Sequence, residues 1–421
     1  EFQASVPSFQ LDDISLSSTG RHGNNNAVVP KFLYHQHSLT SIYLGDIRFT
    51  GKSFLWLIEN NTELLTLTLR NNSFTGPLQM PSNPISKLSL MDIASNHFSG
   101  NIPEDIATSF PGLSTLIMSA NSFTGTIPSS LGDIASFEYL DLSHNHLSGN
   151  IPNSLGMGCR YLQSLRLSNN SLQGSILPAH HNLTELIYLE LDVNNFTTIP
   201  NSLSACSELE ILDLSHNQLT GPIPKWFDNL SSLSILLLNK NHFDGEILSQ
   251  FCNLSELSLI DLSHTSLSGS IPPCLGNITF RPLLQNLGLP RSIVVLPDDE
   301  LHTFQDIMVE ELIQSVTKSI TRVYRGYTIS AIELSCNNFA GHIPPKIGKL
   351  FHLKSLNLSH NSFSGTIPIM FANLMGTKSL NLSYNRLTGN IPSQLVRLNS
   401  LQVFNVSFNN LSGPIPEGPH F

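Results

Sequence analysis

Leu209-Glu-Ile-Leu-Asp-Leu-Ser-His-Asn217-Gln-Leu-Thr-Gly221-Pro-Ile-Pro224 is a clean copy of a pattern, LxxLxLxxNxLxGxIP, that returns along almost the whole chain. With the asparagine as marker, copies fall at Asn72, Asn96, Asn121, Asn145, Asn170, Asn194, Asn217 and Asn241, with Thr265 in the next marker place. They resume at Asn337, Asn361, Asn385 and Asn409. The spacing is 23 to 25 residues, mostly 24. Two degenerate copies come first, Leu39 to Ile47 and Leu11 to Thr19, separated by a polar loop-out at 17–29 rich in Gly and Asn. The count is fifteen. A fixed period of this length marks a repeat array, so the 421 residues do not divide into ordinary domains by length.

The pattern dictates its own local structure. LxxLxL alternates, so its leucines point to one side of a short strand. One repeat cannot bury that side alone, and stacking neighbours creates a continuous core. The marker Asn turns inward, where its amide both donates to and accepts from backbone groups of adjacent turns. Thr265 and Ile47 break this ladder and predict local irregularity there. The Gly four places on allows a tight backbone path. Ile-Pro then starts the return, and segments such as Ser129 to Phe137 read as short helical or 3₁₀ turns. The expectation is an α/β repeat solenoid, a right-handed curved superhelix.

One stretch does not repeat. Residues 277–328 interrupt the array, after about eleven copies (1–276) and before the last four (329–421). The 72 residues from Thr265 to Asn337 equal three periods, so the phase survives. Phe280 to Asp299 is punctuated by Pro282, Pro290 and Pro297 and reads as a loop. Ile307 to Arg325 reads as a β-hairpin around Lys318-Ser319, with a helix from Asp306 to Thr317 as the alternative.

Charged residues make up 12% and the net charge is −10. That disfavours nucleic acid, whose phosphates need a basic face, and a polybasic membrane contact. No apolar run approaches the roughly 18 residues that span a bilayer, and no secretory signal opens the chain at Glu1. The chain therefore reads as a soluble piece with both ends cut from something longer. No Gly-x-Ser-x-Gly, phosphate loop or His-Glu-x-x-His occurs, and Glu190 with Asp192 is the nearest carboxylate pair, read as contact residues. The expectation is a non-enzyme with no cofactor and no metal. Of 16 histidines, His144, His216, His264 and His360 each precede a marker, a spaced row and not a metal cluster.

The Gly-x-Ile-Pro half of the repeat resembles the plant extracellular class of leucine-rich repeats, and the likeness covers almost the whole chain. An island followed by four repeats resembles plant receptor-like proteins and some receptor-like kinases. Leu262-Ser-His-Thr-Ser-Leu-Ser-Gly-Ser-Ile-Pro-Pro-Cys274-Leu-Gly-Asn, then Tyr324-Arg-Gly326 and Ile332-Glu-Leu-Ser-Cys336-Asn337, favour the receptor-like proteins. The resemblance implies a single-pass plasma-membrane glycoprotein without a kinase, whose extracellular side binds a secreted protein or peptide. It implies recruitment of a co-receptor kinase of the somatic-embryogenesis receptor-like type, and of an adaptor receptor kinase, through the island and last four repeats. Immunity is favoured over development. The cysteine caps, span and tail of the family pattern are missing here, and a secreted form fits as well. The alternative is a soluble inhibitor resembling polygalacturonase-inhibiting proteins, which are shorter and lack an island.

Site residues follow from alternation. Positions between the strand leucines face out of the sheet, and Tyr139, Arg166, Tyr188, Glu190, Ile235 and Leu237 form a run suited to a ligand. Tyr324 and Arg325 are the candidates within the interruption. Cys252 and Cys274 lie on return segments of neighbouring repeats, which brings a disulfide within reach; two buried free thiols are the alternative. Cys159 and Cys206, two repeats apart, are expected free and buried. Sequons begin at Asn60, Asn71, Asn169, Asn182, Asn195, Asn229, Asn253, Asn277, Asn357, Asn381, Asn405 and Asn410, as on a secreted, glycosylated surface.

Overall fold

The computed structural model describes residues 7–17, 27–247, 249–281 and 330–418. The loop, hairpin and helix readings within 282–329, and most of the polar loop-out, fall outside the described residues. The chain forms two compact units, 1–220 and 221–421.

In the first unit nine short strands lie in parallel, one per repeat, from Asp13–Ser17 to Ile211–Asp213. Pairing is in register along the row, as in Tyr139↔Ser164↔Tyr188↔Ile211 and Asp141↔Arg166↔Glu190↔Asp213. In the second unit six strands do the same, from Ile235–Leu237 to Val403–Asn405. These strands fall on the fifteen copies of the pattern. Return segments are 3₁₀ turns such as Ser129–Asp133, entered through Pro128, or short helices such as Asn153–Gly158, entered through Pro152.

The marker asparagines behave as the pattern requires. Asn96 Nδ2 donates to the carbonyls of Leu69 (3.0 Å) and Ile93 (3.1 Å), and its Oδ1 accepts the Phe74 N–H (3.1 Å). In the second unit Asn361 donates to Leu334 (2.9 Å) and Leu358 (3.2 Å) and accepts from Phe339 (3.0 Å). Each side chain thus satisfies backbone groups in its own repeat and in the one before, fully buried at Asn96 and partly buried at Asn361. Below this ladder runs a phenylalanine spine. Phe74, Phe98 and Phe123 stack at 6.1 and 6.3 Å between ring centroids, nearly parallel, and are almost wholly buried. Burial of each ring contributes about 2 kcal/mol.

Two features were not read from the sequence. First, the segment after each marker is itself a strand. His97–Asn101, Ser122–Thr126 and His146–Gly149 belong to a second parallel sheet of the first unit. Second, the residue before each marker sits in the left-handed region, from Asn71 (φ 54°) to Phe408 (φ 53°), although none is glycine. Where Ile47 replaces the marker amide, two such residues occur, Asp46 (φ 58°) and Arg48 (φ 63°), the irregularity expected there.

Across the interruption the solenoid closes directly. Leu259, Ile260 and Asp261 pair with Ala331, Ile332 and Glu333 in register. Asn337 Nδ2 donates to the Leu262 carbonyl at 2.8 Å. The hydroxyl of Thr265 stands in for the missing amide, 3.0 Å from the Leu262 carbonyl and 2.6 Å from Asn337 Oδ1. On the turn side, a Cβ added to Gly276 would lie 2.3 Å from the Lys346 carbonyl oxygen, so glycine lets the two turns meet. Beside this join Cys252 and Cys274 are bonded, with Cα atoms 5.7 Å apart. Cys159 and Cys206 are free and buried.

Candidate ligand-binding face

The candidate site of the first unit is built by register. Arg166 and Glu190 are paired positions on adjacent strands, and Arg166 Nε lies 3.1 Å from Glu190 Oε1. The same guanidinium carbon stands 5.7 Å from the Tyr139 ring centroid, within cation–π range. Tyr188, one strand from Arg166, starts its own strand beside Glu190. Burial raises its phenol well above the ordinary value, aided by Glu210 and opposed by Arg166. Structure therefore brings Tyr139, Arg166, Tyr188 and Glu190 together.

Their exposure departs from expectation. Tyr139 is 9% exposed and Arg166, Tyr188 and Glu190 are 6% each. Ile235 and Leu237, expected as exposed aliphatics of the second unit, are 1% and 0% exposed. Rows of side chains one strand spacing apart, about 4.8 Å, cover one another; alternation decides which face a residue takes, not how open that face is. Tyr324 and Arg325 lie outside the described residues.

Sequence reading also passed over a row of carboxylates. Asp92, Asp141 and Asp213 each use Oδ1 to accept the N–H two residues on, at 2.9 Å; Asp261 does so in the second unit. The signal was present as Leu-Asp-Leu-Ser, a local turn bond that Asp favours. Burial raises two of these acids, Asp213 and Asp261. Asp213 is held well above the ordinary carboxylate value, first by burial and then by Asp192. Asp192, near neighbour of Glu190, is itself raised by burial against a hydrogen bond from Ser168. In the second unit burial brings Asp261 to about 6. Glu333, its paired position, is pushed to about 8 by burial and by Asp261, against hydrogen bonds from Asn357 and Ser355.

The sequons divide by position. Asn182, Asn229, Asn253 and Asn277 are exposed on return segments, while Asn357, Asn381 and Asn405 stand half-buried on paired strands. Asn71 and Asn169 occupy the left-handed position, where Asn169 Nδ2 lies 2.8 Å from His144 Nδ1. Asn60 donates to the Tyr34 carbonyl, and Asn195 and Asn410 are exposed on strands of the second-sheet type. Among the described residues no group of three or more His, Cys, Asp or Glu is placed to hold a metal ion.

Comparison with known proteins fits this geometry. The family model described as "Leucine rich repeat" matches residues 160–219, 328–387 and 351–411, and a second, "Leucine Rich Repeat", matches 112–134, 136–157 and 256–278. Receptor-like protein 15 of Arabidopsis thaliana is 40% identical over 107 residues, 25% of this chain and 10% of that protein. Cuscuta receptor 1 of Solanum lycopersicum is 33% identical over 113 residues, 27% of this chain and 10% of that protein. The chain belongs to the leucine-rich-repeat proteins and is similar, over about a quarter of its length, to plant receptor-like proteins. Its matches span only 10% of the length of these two receptor-like relatives. Among solved structures, a TDR receptor is similar at TM-score 0.79 and 27% identity, over 97% of this chain and 61% of that one. The ectodomain of the Arabidopsis receptor kinase HAESA, in complex with an extended IDA peptide hormone, is similar at TM-score 0.69 and 27% identity, over 93% and 61%. Among the described residues no helix is long and apolar enough to cross a membrane.

Proposed function

We propose that this chain is the extracellular recognition region of a plant cell-surface receptor, binding a secreted peptide or protein on the sheet face of its first unit. The observation that carries this reading is the register-locked set Tyr139, Arg166, Tyr188 and Glu190. Aromatic rings and an Arg are the groups on which interface energy concentrates. Here packing and an ion pair hold them before any ligand arrives, so little side-chain entropy is lost on binding. The likeness to HAESA, solved with a peptide hormone, and to the receptor RGFR1, solved with RGF2 (TM-score 0.66, 26% identity), supports a peptide-type ligand.

Binding alone transmits nothing. In this reading the segment 277–328 and the last four repeats recruit a co-receptor kinase of the somatic-embryogenesis receptor-like type. An adaptor receptor kinase completes the signal at the plasma membrane, in immunity rather than development. The test measures binding of a co-receptor ectodomain to this chain and to a version with 280–324 replaced by a short linker, with and without plant and pathogen apoplastic fluid. Circular dichroism verifies that both fold. Fluid-dependent binding that vanishes on replacement is the expected result. Retention of a fluid component with no co-receptor binding under any condition would sink the receptor reading and favour an inhibitor of a pathogen wall hydrolase.

A further inference from the structure

The same tripeptide, Asn-Leu-Ser, occurs at two kinds of place in the second unit. It stands at the end of the return turns Lys225–Asn229 and Ser249–Asn253. It also stands at the end of the strands Ser355–Asn357 and Ser379–Asn381. Composition is identical, so any difference in modification between the two belongs to the fold.

On the turns, alternation presents the whole acceptor to solvent. Asn229 and Asn253 are exposed, Leu230 and Leu254 are 0% exposed, and Ser231 and Ser255 are exposed again. Asn253 Nδ2 makes a long bond, 3.4 Å to Asp228 Oδ2 at the surface. On the strands the acceptor is taken up by the structure. Ser359 and Ser383 are 4% and 2% exposed. Asn357 Oδ1 accepts the Ser359 N–H at 3.1 Å, and its amide bonds to the Glu333 carboxylate. Asn381 Oδ1 accepts both the N–H (3.2 Å) and the hydroxyl (2.8 Å) of Ser383. Asn357 and Asn381 are also paired neighbours, about 4.8 Å apart, too close for two sugar chains leaving one face side by side.

We infer that the return-turn asparagines Asn229 and Asn253 carry N-linked glycans in the folded protein, and that the strand asparagines Asn357 and Asn381 carry none. The sugars then form a ridge along the turn side, and the sheet face of the last repeats stays bare protein. The ridge stops at the interruption. In the two repeats that follow, the turn position holds Lys349, and then Asn373 with the exposed Met375 where a hydroxyl would complete the acceptor.

The inference rests on the extracellular reading for its setting, but its test supplies export and so reads the fold alone. The chain is secreted from plant or insect cells behind a signal peptide. Folded material is released from its glycans enzymatically in heavy-oxygen water, and peptide mass spectrometry locates the tagged positions. Tags at Asn229 and Asn253, with Asn357 and Asn381 untagged, are expected. In Met375→Thr, which completes Asn373-Leu-Thr on a turn, one further tag is expected, at Asn373. A tag at Asn357 or Asn381 in folded protein overturns the inference, as do untagged Asn229 and Asn253 or an unmodified Asn373 in the variant.

Discussion

Arg166 and Glu190 on one side, and Asn357, Asn381 and Asn405 on the other, occupy equivalent strand positions in two regions of the chain. The first region places a charged pair there and buries it; the second places a neutral amide row and leaves it half-open. The scaffold is the same in both: marker amides, apolar spine, turns. What differs is only the residues that the repeat leaves free. A solenoid can therefore assign separate chemistry to separate stretches of one face without altering its core, because each repeat touches only its neighbours.

The sharpest way to break this comparison is to remove the charge. Arg166→Ala withdraws the guanidinium from buried Glu190 and is expected to destabilise the first unit by about 3–5 kcal/mol. Asn381→Ala, which removes the two local bonds from the Ser383 N–H and hydroxyl at a half-open position, is expected to cost about 1 kcal/mol. Urea unfolding of both proteins measures the contrast, and equal losses would show that the two regions do not differ energetically.

A second contrast lies in pH. Glu333 titrates near 8 in the folded chain and in the ordinary carboxylate range when unfolded, so its proton favours the folded state. That stabilisation is full below the unfolded value and is lost as pH rises towards 8. Each unit of displacement is worth about 1.4 kcal/mol, and relaxation around the carboxylate leaves an effect on the order of 2 kcal/mol. Glu333→Gln is expected to flatten the fall in melting temperature between pH 5 and 8; an unchanged slope would rule out this origin.

Two smaller effects test the ladder that both regions share. Thr265→Asn restores a marker amide where a hydroxyl now substitutes, with an expected gain of about 1 kcal/mol. Hydrogen exchange at Leu259–Asp261 and Ala331–Glu333 is the readout, and faster exchange would mean that Thr265 is the better fit. Val193 is β-branched in a left-handed conformation at φ 54°, and it is 40% exposed. Val193→Asn relieves that strain and is expected to stabilise by roughly 0.5–1 kcal/mol, measured by calorimetry; no gain would place the strain elsewhere.

The repeat was legible because its demands are local and periodic. An amide every 24 residues and leucines on alternate positions admit few backbone paths, so the strand rows, the turns and the adjacency of Cys252 and Cys274 could be read directly. Features set by neighbouring repeats were not legible. The second sheet depends on how close successive turns stack. The left-handed conformation at His144 or Tyr384 carries no residue signature, since the marker's bonds impose it on whichever side chain precedes. Ile235 and Leu237 were assigned to the right strand positions yet misjudged as exposed, because alternation fixes a face and says nothing of what shields it. The protonation of Glu333 likewise follows from burial and from Asp261, 72 residues away in sequence and one strand away in space.

The direct pairing of Leu259 with Ala331 has a consequence in polymer statistics. The intervening chain leaves and re-enters at points one strand apart, so its two ends are already brought together by the solenoid. Lengthening a closed loop costs free energy only as the logarithm of its length, about 0.6 kcal/mol for each doubling. Descendants of this chain can therefore gain, lose or exchange residues there while the flanking repeats keep their register. The junction behaves as a cloning site written into the fold, at which novelty in sequence is nearly free of thermodynamic penalty.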